Sequence, residues 1–230
     1  MDGPILIRRY RPDDRPVVRR ICADTGFLGR AIDPVFEDRE LFADYLTGYY
    51  ARMEPDATLV CEVGGVVMGY LLGCRRPLIN RMYQLLANLW IAARATYRCW
   101  QRPYGRASRA FLRWVIFKAW REVPAAPRLA PHFHINLLPA ARNLRGARLL
   151  ILAFLALLHR EGHNTVYGQM VTFGTRRGAK LFERYGFRVT HRKEITKFRG
   201  LTDDRVFLST VVKDLRDGPT LSAPARRLIG

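Results

Sequence analysis

The residues from His132 to Ala147 combine polar and basic side chains in an order that suits an anionic ligand. They read HFHINLLPAARNLRGA, and the apolar run LLILAFLALL follows Arg148. A helix that begins in such a turn leaves its first N–H groups unpaired, and its dipole favours negative charge there. Arg142, Arg145 and Arg148 add donors and positive charge. The segment therefore predicts a turn that binds a pyrophosphate.

In this segment the chain resembles the GCN5-related N-acetyltransferases. Their cofactor motif, Q/R-x-x-G-x-G/A, follows a strand that ends in a hydrophobic-x-Pro step, and here LLP (Leu137–Pro139) precedes RNLRGA. Arg142 matches the first position and Ala147 the last, whereas Arg145 replaces the middle glycine. The resemblance implies acetyl-CoA, or another acyl-CoA, as co-substrate and no metal. It implies cofactor contacts from Asn136, Leu137, Leu138, Arg142, Asn143, Leu144, Arg145, Gly146, Ala147 and Thr172.

A second part of the resemblance lies downstream, in GTRRGAKLFERYGF (Gly174 to Phe187). The family pattern there is N-x-x-A-x-x-x-Y-x-x-x-G-F, and its tyrosine is proposed to protonate the thiolate that leaves. Gly186 and Phe187 match, but Phe182 stands at the tyrosine position and has no hydroxyl. Tyr185 is the candidate replacement, three residues on.

The resemblance implies direct attack of an acceptor amine on the thioester in a ternary complex, with backbone groups near Asn136 to Leu138 polarising the carbonyl. His134 is a candidate base because its ordinary pKa lies near neutrality. Alternation along a strand places His132 on the same side, and both could be plain surface polar residues. Glu62 is a second candidate base. Three acids lie in one loop: Asp33, Glu37 and Asp38. They could hold the amine or act as base, or they could simply be solvated loop charges and helix caps.

The order of elements around these residues predicts an α/β (α+β) fold, a mixed and mostly antiparallel sheet flanked by helices. Gly64-Gly65 predicts a hairpin between two strands. The predicted strands are 5–10, 57–63, 66–73, 132–138, 164–170, 187–196 and 205–215, and the main helices are 38–53, 143–161 and 175–184. We expect one acyltransferase-like domain over residues 1–217 and a loose tail over 218–230.

The stretch from Arg75 to Arg128 interrupts this order. It contains twelve arginines and lysines against one acid, Glu122, and its apolar residues fall at helical spacing on both sides of Pro103. We therefore predict a basic two-helix insertion. Three roles remain open: a lid over the acceptor site or a dimer contact, an anionic membrane surface, and nucleic-acid binding. The last two support an alternative function, a non-catalytic binding module.

Composition sets the outer limits of these expectations. The chain has 230 residues, a formal net charge of +19 and four scattered cysteines. No cysteine pair has CxxC spacing, so neither a zinc site nor a redox motif is indicated. The N-terminus lacks a signal-peptide pattern, and Leu149–Leu158 is far shorter than the roughly 20 residues that span a bilayer. We expect a soluble, cytoplasmic, basic protein.

Overall fold

A computed structural model describes residues 3–101, 103–142, 145–173 and 182–216. Its strands form one sheet in the order β1-β2-β3-β4-β5-β7-β6, and every neighbouring pair is antiparallel except β4 with β5. The strands are β1 Ile5–Arg9, β2 Thr58–Val63, β3 Val66–Cys74, β4 His132–Leu137, β5 Thr165–Phe173, β6 Arg188–Glu194 and β7 Val206–Asp214. The predicted mixed, mostly antiparallel sheet flanked by helices is confirmed.

The helices lie on both faces of the sheet. They are α1 Arg15–Thr25, α2 Arg39–Met53, α3 Pro77–Gln101, α4 Arg106–Phe117, α5 Ala119–Glu122, α6 Pro139–Arg142 and α7 Gly146–Arg160. The prediction of a helix from residue 143 was too long, because α7 starts at Gly146. The predicted helix over residues 175–184 and the predicted tail fall largely or wholly outside the described residues.

Two hydrophobic clusters separate the faces. On one face, which we call the α7 face, Phe154 and Leu150 pack against β-strand residues such as Leu137 and Phe133. On the other, the α1–α2 face, Ile21 and Tyr49 pack against the opposite sides of the same strands. Strand alternation explains this division, because successive side chains point to opposite faces.

The insertion packs against the α1–α2 face. Phe111 and Trp114 of α4 contact its hydrophobic cluster, and Tyr104 is buried in it. Two predicted helices are present, together with the single-turn helix α5. Arg106, Arg109 and Arg113 are exposed, as expected for a basic stripe, while Arg102 lies outside the described residues. On α3, however, Arg94 and Arg98 are only partly exposed and face α2 and its N-cap, whereas the large apolar residues are exposed.

Candidate functional site

Strands β4 and β5 pair over only two positions before they separate. His132 lies opposite Tyr167 and Phe133 lies opposite Gly168, and no further pair joins the described parts of these strands. Beyond this point β5 pairs only with β7, as far as Phe173 opposite Val206, which is why β5 is longer than the predicted strand. The sheet therefore opens between its fourth and fifth strands, beside residues 134–137.

The backbone of β4 on the open side can be identified from its hydrogen bonds. Tyr167 N–H donates to Pro131 O at 3.0 Å, and Leu138 N–H donates to Met68 O of β3 at 2.9 Å. Because backbone groups alternate in direction along a strand, the N–H groups of Ile135 and Leu137 point towards the opening. Leu138 directs its own N–H to β3, so its predicted cofactor contact does not come from that donor.

The short helix α6 follows β4 and ends at Arg142, and α7 begins at Gly146. Arg142 donates through Nε to Leu137 O at 3.2 Å and through a second nitrogen to Gly29 O, in the loop after α1. This predicted cofactor ligand therefore anchors the end of α6 to β4 and to the loop after α1. Arg145 is exposed at the N-terminal end of α7, and Asn143 and Leu144 lie outside the described residues.

Gly146 explains how α7 can approach the sheet so closely. It is buried, and a Cβ atom on it would lie 2.8 Å from Cys61 Sγ and 3.4 Å from Leu137 Cδ2. A side chain would therefore push the helix N-terminus away from the sheet at Cys61 of β2. Ala147 packs partly against the α7-face cluster, and Arg148 is exposed beside it.

A polar network occupies the middle of β4 on the α1–α2 face. Asn136 Nδ2 donates to Tyr70 Oη at 2.9 Å and to His134 Nε2 at 3.2 Å. Tyr70 is buried and in turn hydrogen-bonds to the thiol of Cys22. These contacts fix the tautomer of His134: because Nε2 accepts from the amide, the ring proton lies on Nδ1.

Burial keeps both strand histidines neutral. It lowers the pKa of His134 to about 4, and the nearby charge of Lys197 acts in the same direction. Burial likewise lowers the pKa of His132 to about 4. The Nε2 atom of His132 lies 3.2 Å from Tyr50 Oη, while its buried Nδ1 has no hydrogen-bond partner among the described residues.

Lys197 is a functional candidate that the sequence did not reveal. Its Nζ lies 4.8 Å from the ring centroid of Phe198, 5.1 Å from Trp114 and 5.8 Å from Phe111. Burial lowers the pKa of its ammonium to about 8, although the carboxylate of Glu122 opposes the shift. A lysine at this pKa can give and take a proton near neutral pH. It lies in the loop between β6 and β7. In the sequence this region showed only the apolar pattern of the two strands, which does not single out a lysine.

Glu122, the single acid of the insertion, holds this loop in place. Its carboxylate accepts from Thr196 N–H and Thr196 Oγ1, both at 2.6 Å, and from Trp114 Nε1 at 2.5 Å. These donors lower the pKa of Glu122 despite its burial. The insertion therefore positions Lys197 from two sides, through the rings of α4 and through this carboxylate.

The other predicted catalytic residues do not join this group. Glu62 lies on β2, where Arg8 Nε donates to its Oε1 at 2.7 Å, and β3 separates it from β4. Tyr185 packs partly against the α7-face cluster, across the sheet from His134. Burial raises the pKa of its hydroxyl, and the charge of Arg148 partly offsets the rise.

Two further predicted positions have internal partners. Thr172 is buried, and its hydroxyl lies 3.2 Å from that of Ser209 on β7, which accounts for its burial. Phe182, at the position of the family tyrosine, stacks on Phe133 and meets Phe187 edge to face in the α7-face core. This aromatic packing explains why a phenylalanine fits there.

The three loop acids act as caps and ion-pair partners. Asp38 accepts from Leu41 N–H at 2.9 Å as the N-cap of α2, and from Tyr104 Oη at 2.7 Å. Glu37 accepts from Ser108 Oγ at 3.0 Å at the start of α4, and Asp33 pairs with Arg39 at 2.6 Å. Their role in this structure is to attach α2 and the insertion to the loop.

Within the described ranges, no group of histidine, cysteine and acidic side chains could hold a metal ion.

Solved structures share this architecture, although no protein-family model and no curated protein matches the chain in sequence. A protein named SsHAT aligns with a TM-score of 0.58 and 22% identity, over 92% of this chain and 98% of its own. A GCN5-related N-acetyltransferase from Kribbella flavida gives 0.54 and 16%, over 92% and 98% of the chains. A structure of yncA from Salmonella typhimurium, a putative acetyltransferase with its cofactor acetyl-CoA, gives 0.51 and 16%, over 96% and 97%. This chain has the fold of the GCN5-related N-acetyltransferases.

Proposed function

We propose that the protein transfers an acyl group, acetyl in the first instance, from coenzyme A to an amine. The observation that carries this proposal is the opening between β4 and β5, which lies directly beside the basic N-terminus of α7. On this fold, such an opening offers backbone donors to a thioester, and the helix end offers them to a pyrophosphate.

The residues on the α7 side account for binding. Arg145 and Arg148 are exposed at the start of α7, and this first turn carries no acidic residue. A pyrophosphate there would gain both the unpaired helix N–H groups and the two guanidinium groups. The pantetheine arm would run along β4, where the N–H groups of Ile135 and Leu137 can donate to the acyl carbonyl as charge develops on it.

The residues on the α1–α2 face account for proton transfer. An acceptor amine must lose a proton, and Lys197 is the base that we assign. Its charge acts on His134 of β4, and its pKa of about 8 leaves part of it neutral near pH 7.5. His134 is the alternative base. Its Nε2 already accepts a hydrogen bond from Asn136 and is therefore not free to take a proton from the amine. We assign His134 the role of positioning that amide and the acceptor.

Cofactor binding can be tested by thermal denaturation with acetyl-CoA. A ligand at 100 times its Kd stabilises the folded state by about 2.7 kcal/mol. We expect a rise in Tm of several degrees, which is lost in the double variant Arg145→Glu/Arg148→Glu. Arg160→Glu is the matched control, because it changes an exposed arginine at the other end of α7. No stabilisation at millimolar acetyl-CoA, or equal losses in both variants, would refute the assignment.

The base can be identified from the pH dependence of CoA release with a panel of amines. If Lys197 is the base, kcat rises as the pH passes through about 8, because the neutral amine is the active form. Lys197→Met should abolish this rise of kcat with pH, and His134→Gln should retain it. A rise near pH 4 that disappears in His134→Gln would assign the role to His134 instead.

Phe182 favours a second candidate function, a non-catalytic binding module on the same fold. It places an apolar ring in the core at the position from which the family's proposed acid acts. Acetyl-CoA binding without CoA release from any amine in the panel would support this alternative. CoA release that depends on Lys197 would exclude it.

A further inference from the structure

Helix α3 turns an apolar face to solvent along its whole length. Residues on this face follow the spacing i, i+4, i+7, i+11, i+15, i+18 and i+22, which is one side of a helix. They are Leu78, Met82, Leu85, Leu89, Ala93, Thr96 and Trp100, which we call the outer stripe. Its five large apolar members are 60–81% exposed, and no residue of α3 is buried. A contiguous apolar surface of this kind is typical of an interaction site.

Ion pairs on the opposite side of α3 fix this orientation. Arg94 pairs with Asp44 of α2 at 2.5 Å, and Arg98 pairs with Asp38, the N-cap of α2. The carboxylates of both acids are largely buried, so rotating the helix to cover the stripe would leave them without these partners. The outer stripe is therefore a feature of the folded state.

A basic cleft lies at one edge of the stripe. It has a volume of about 600 Å³ between α1, α2 and α3, and Trp90 of α3 forms part of its wall. The arginines that line it are Arg15, Arg19, Arg20, Arg39, Arg52 and Arg94. Only two acids, Glu40 and Asp44, accompany them. Arg15, Arg20 and Arg52 make no ion pair with any described residue.

Apolar exposure beside excess positive charge identifies the partner. A second copy of the chain would bring another net charge of +19 against the same cleft, and a nucleic acid would leave the leucines of the stripe in water. An anionic bilayer satisfies both features, because apolar side chains enter the acyl boundary while arginines bind headgroup phosphates. No helix in the described ranges is long and apolar enough to cross a membrane, so α3 would lie on the surface.

We propose that the outer stripe of α3 docks on an anionic phospholipid bilayer and that the arginine cleft beside Trp90 binds its headgroup phosphates. Trp90 and Tyr97 lie at the cleft-side edge of the stripe, where amphipathic rings sit at the headgroup level. Arg94 stacks on Trp90, with Cζ 5.0 Å from the ring centroid, and so connects the two parts of the site.

The proposal can be tested with the full chain and vesicles, without any acyl donor, so its outcome is independent of acyl transfer. We expect the protein to bind to, and sediment with, phosphatidylcholine vesicles that contain 30 mol% phosphatidylglycerol. Binding to vesicles of pure phosphatidylcholine should be at least tenfold weaker. Tryptophan emission should shift to shorter wavelength on binding, and Trp90→Phe/Trp100→Phe should lose most of this shift.

Two variants separate the apolar and the charged parts. Met82→Ser/Leu85→Ser/Leu89→Ser should weaken binding at least tenfold even at low salt, and Arg15→Gln/Arg20→Gln/Arg52→Gln should weaken it about as much. The matched control removes the same charge from α4, Arg106→Gln/Arg109→Gln/Arg113→Gln, and should change binding less than threefold.

Other outcomes would overturn the proposal. Unchanged vesicle binding in the serine variant would refute docking through the stripe. A dimer in sedimentation velocity that the serine variant abolishes would assign the stripe to a second copy. If RNA or DNA competes with vesicles for the protein, and the serine substitutions do not change nucleic-acid binding, the arginine cleft would be assigned to nucleic acid.

Discussion

Helices α7 and α3 are both rich in apolar residues, yet they use them in opposite ways. Seven of the fifteen residues of α7 are buried, and Leu150 and Phe154 are fully enclosed. The 25 residues of α3 include none that is buried. The surfaces on which they lie account for this difference. The sheet beneath α7 presents apolar strand residues, whereas α2 presents Asp44 and Asp38 to the arginines of α3.

The difference shows that apolar periodicity identifies a helix face but not what covers it. The acids that orient α3 belong to α2 and its N-cap, in a separate segment of the chain. In α7 the covering strands also bring the backbone opening and Gly146 to one place. We therefore expect α7 to carry stability and α3 to carry contact with a partner, and four predictions test this division.

Truncating one apolar side chain on each helix should give the largest contrast. Phe154 is fully buried and meets the ring of Phe133 at 5.8 Å, so Phe154→Ala should lower the free energy of unfolding by roughly 3–5 kcal/mol. Leu85→Ala removes an exposed side chain and should change it by less than about 0.5 kcal/mol. Urea denaturation of both variants is the measurement. A similar loss in Leu85→Ala would show that the stripe is covered in solution.

This contrast also marks what the sequence could predict. The order of strands and helices along the chain, the mixed and mostly antiparallel sheet and the buried run of α7 followed from local patterns in the chain. The inverted orientation of α3 did not, because it depends on ion pairs with residues 50 and 60 positions away. Lys197 was missed for a similar reason: two of the three rings around it, Phe111 and Trp114, come from α4, more than 80 residues earlier.

Acid should destabilise the face that lies under α1, α2 and the insertion. His132 and His134 have pKa values of about 4 when folded, below the ordinary value near 6.5. As the pH falls from 6.5 to 4, the unfolded chain binds protons that the folded chain does not, so the free energy of unfolding decreases. The loss is at most roughly 3 kcal/mol for each histidine and levels off below pH 4.

Urea denaturation between pH 7 and 4 checks this expectation. The free energy of unfolding should fall less steeply with decreasing pH in His134→Gln. It should fall as steeply as in the unchanged chain in His191→Gln, which alters an exposed histidine of β6. The α7-face cluster contains no histidine among the described residues, so Phe154→Ala should keep the slope of the natural sequence. Equal slopes in the two histidine variants would contradict the assignment to the α1–α2 face.

A methyl group at the start of α7 should disturb the site while leaving α3 unaffected. In Gly146→Ala the new Cβ would lie 2.8 Å from Cys61 Sγ, closer than packed atoms allow, and we expect a loss of roughly 1–3 kcal/mol. Acetyl-CoA affinity should fall with it, because the clash with Cys61 of β2 displaces the helix N-terminus that we assign to the pyrophosphate. Cys61→Ala supplies the test of cause: the double variant should lose less than the sum of the single variants.

Removing one inner arginine of α3 should have the smallest effect and the most local one. Arg94→Gln deletes a partly exposed ion pair with Asp44, and Arg19 still pairs with that acid. We therefore expect a loss of about 0.5–1 kcal/mol. Hydrogen exchange should become faster in α3 and stay unchanged in α7, because only α3 depends on this pair for its orientation. Arg81→Gln is the control on the same helix, since its side chain is exposed and makes no ion pair within the described chain. Faster exchange in α7 as well would mean that the two helices are one cooperative unit, and the functional division between them would fail.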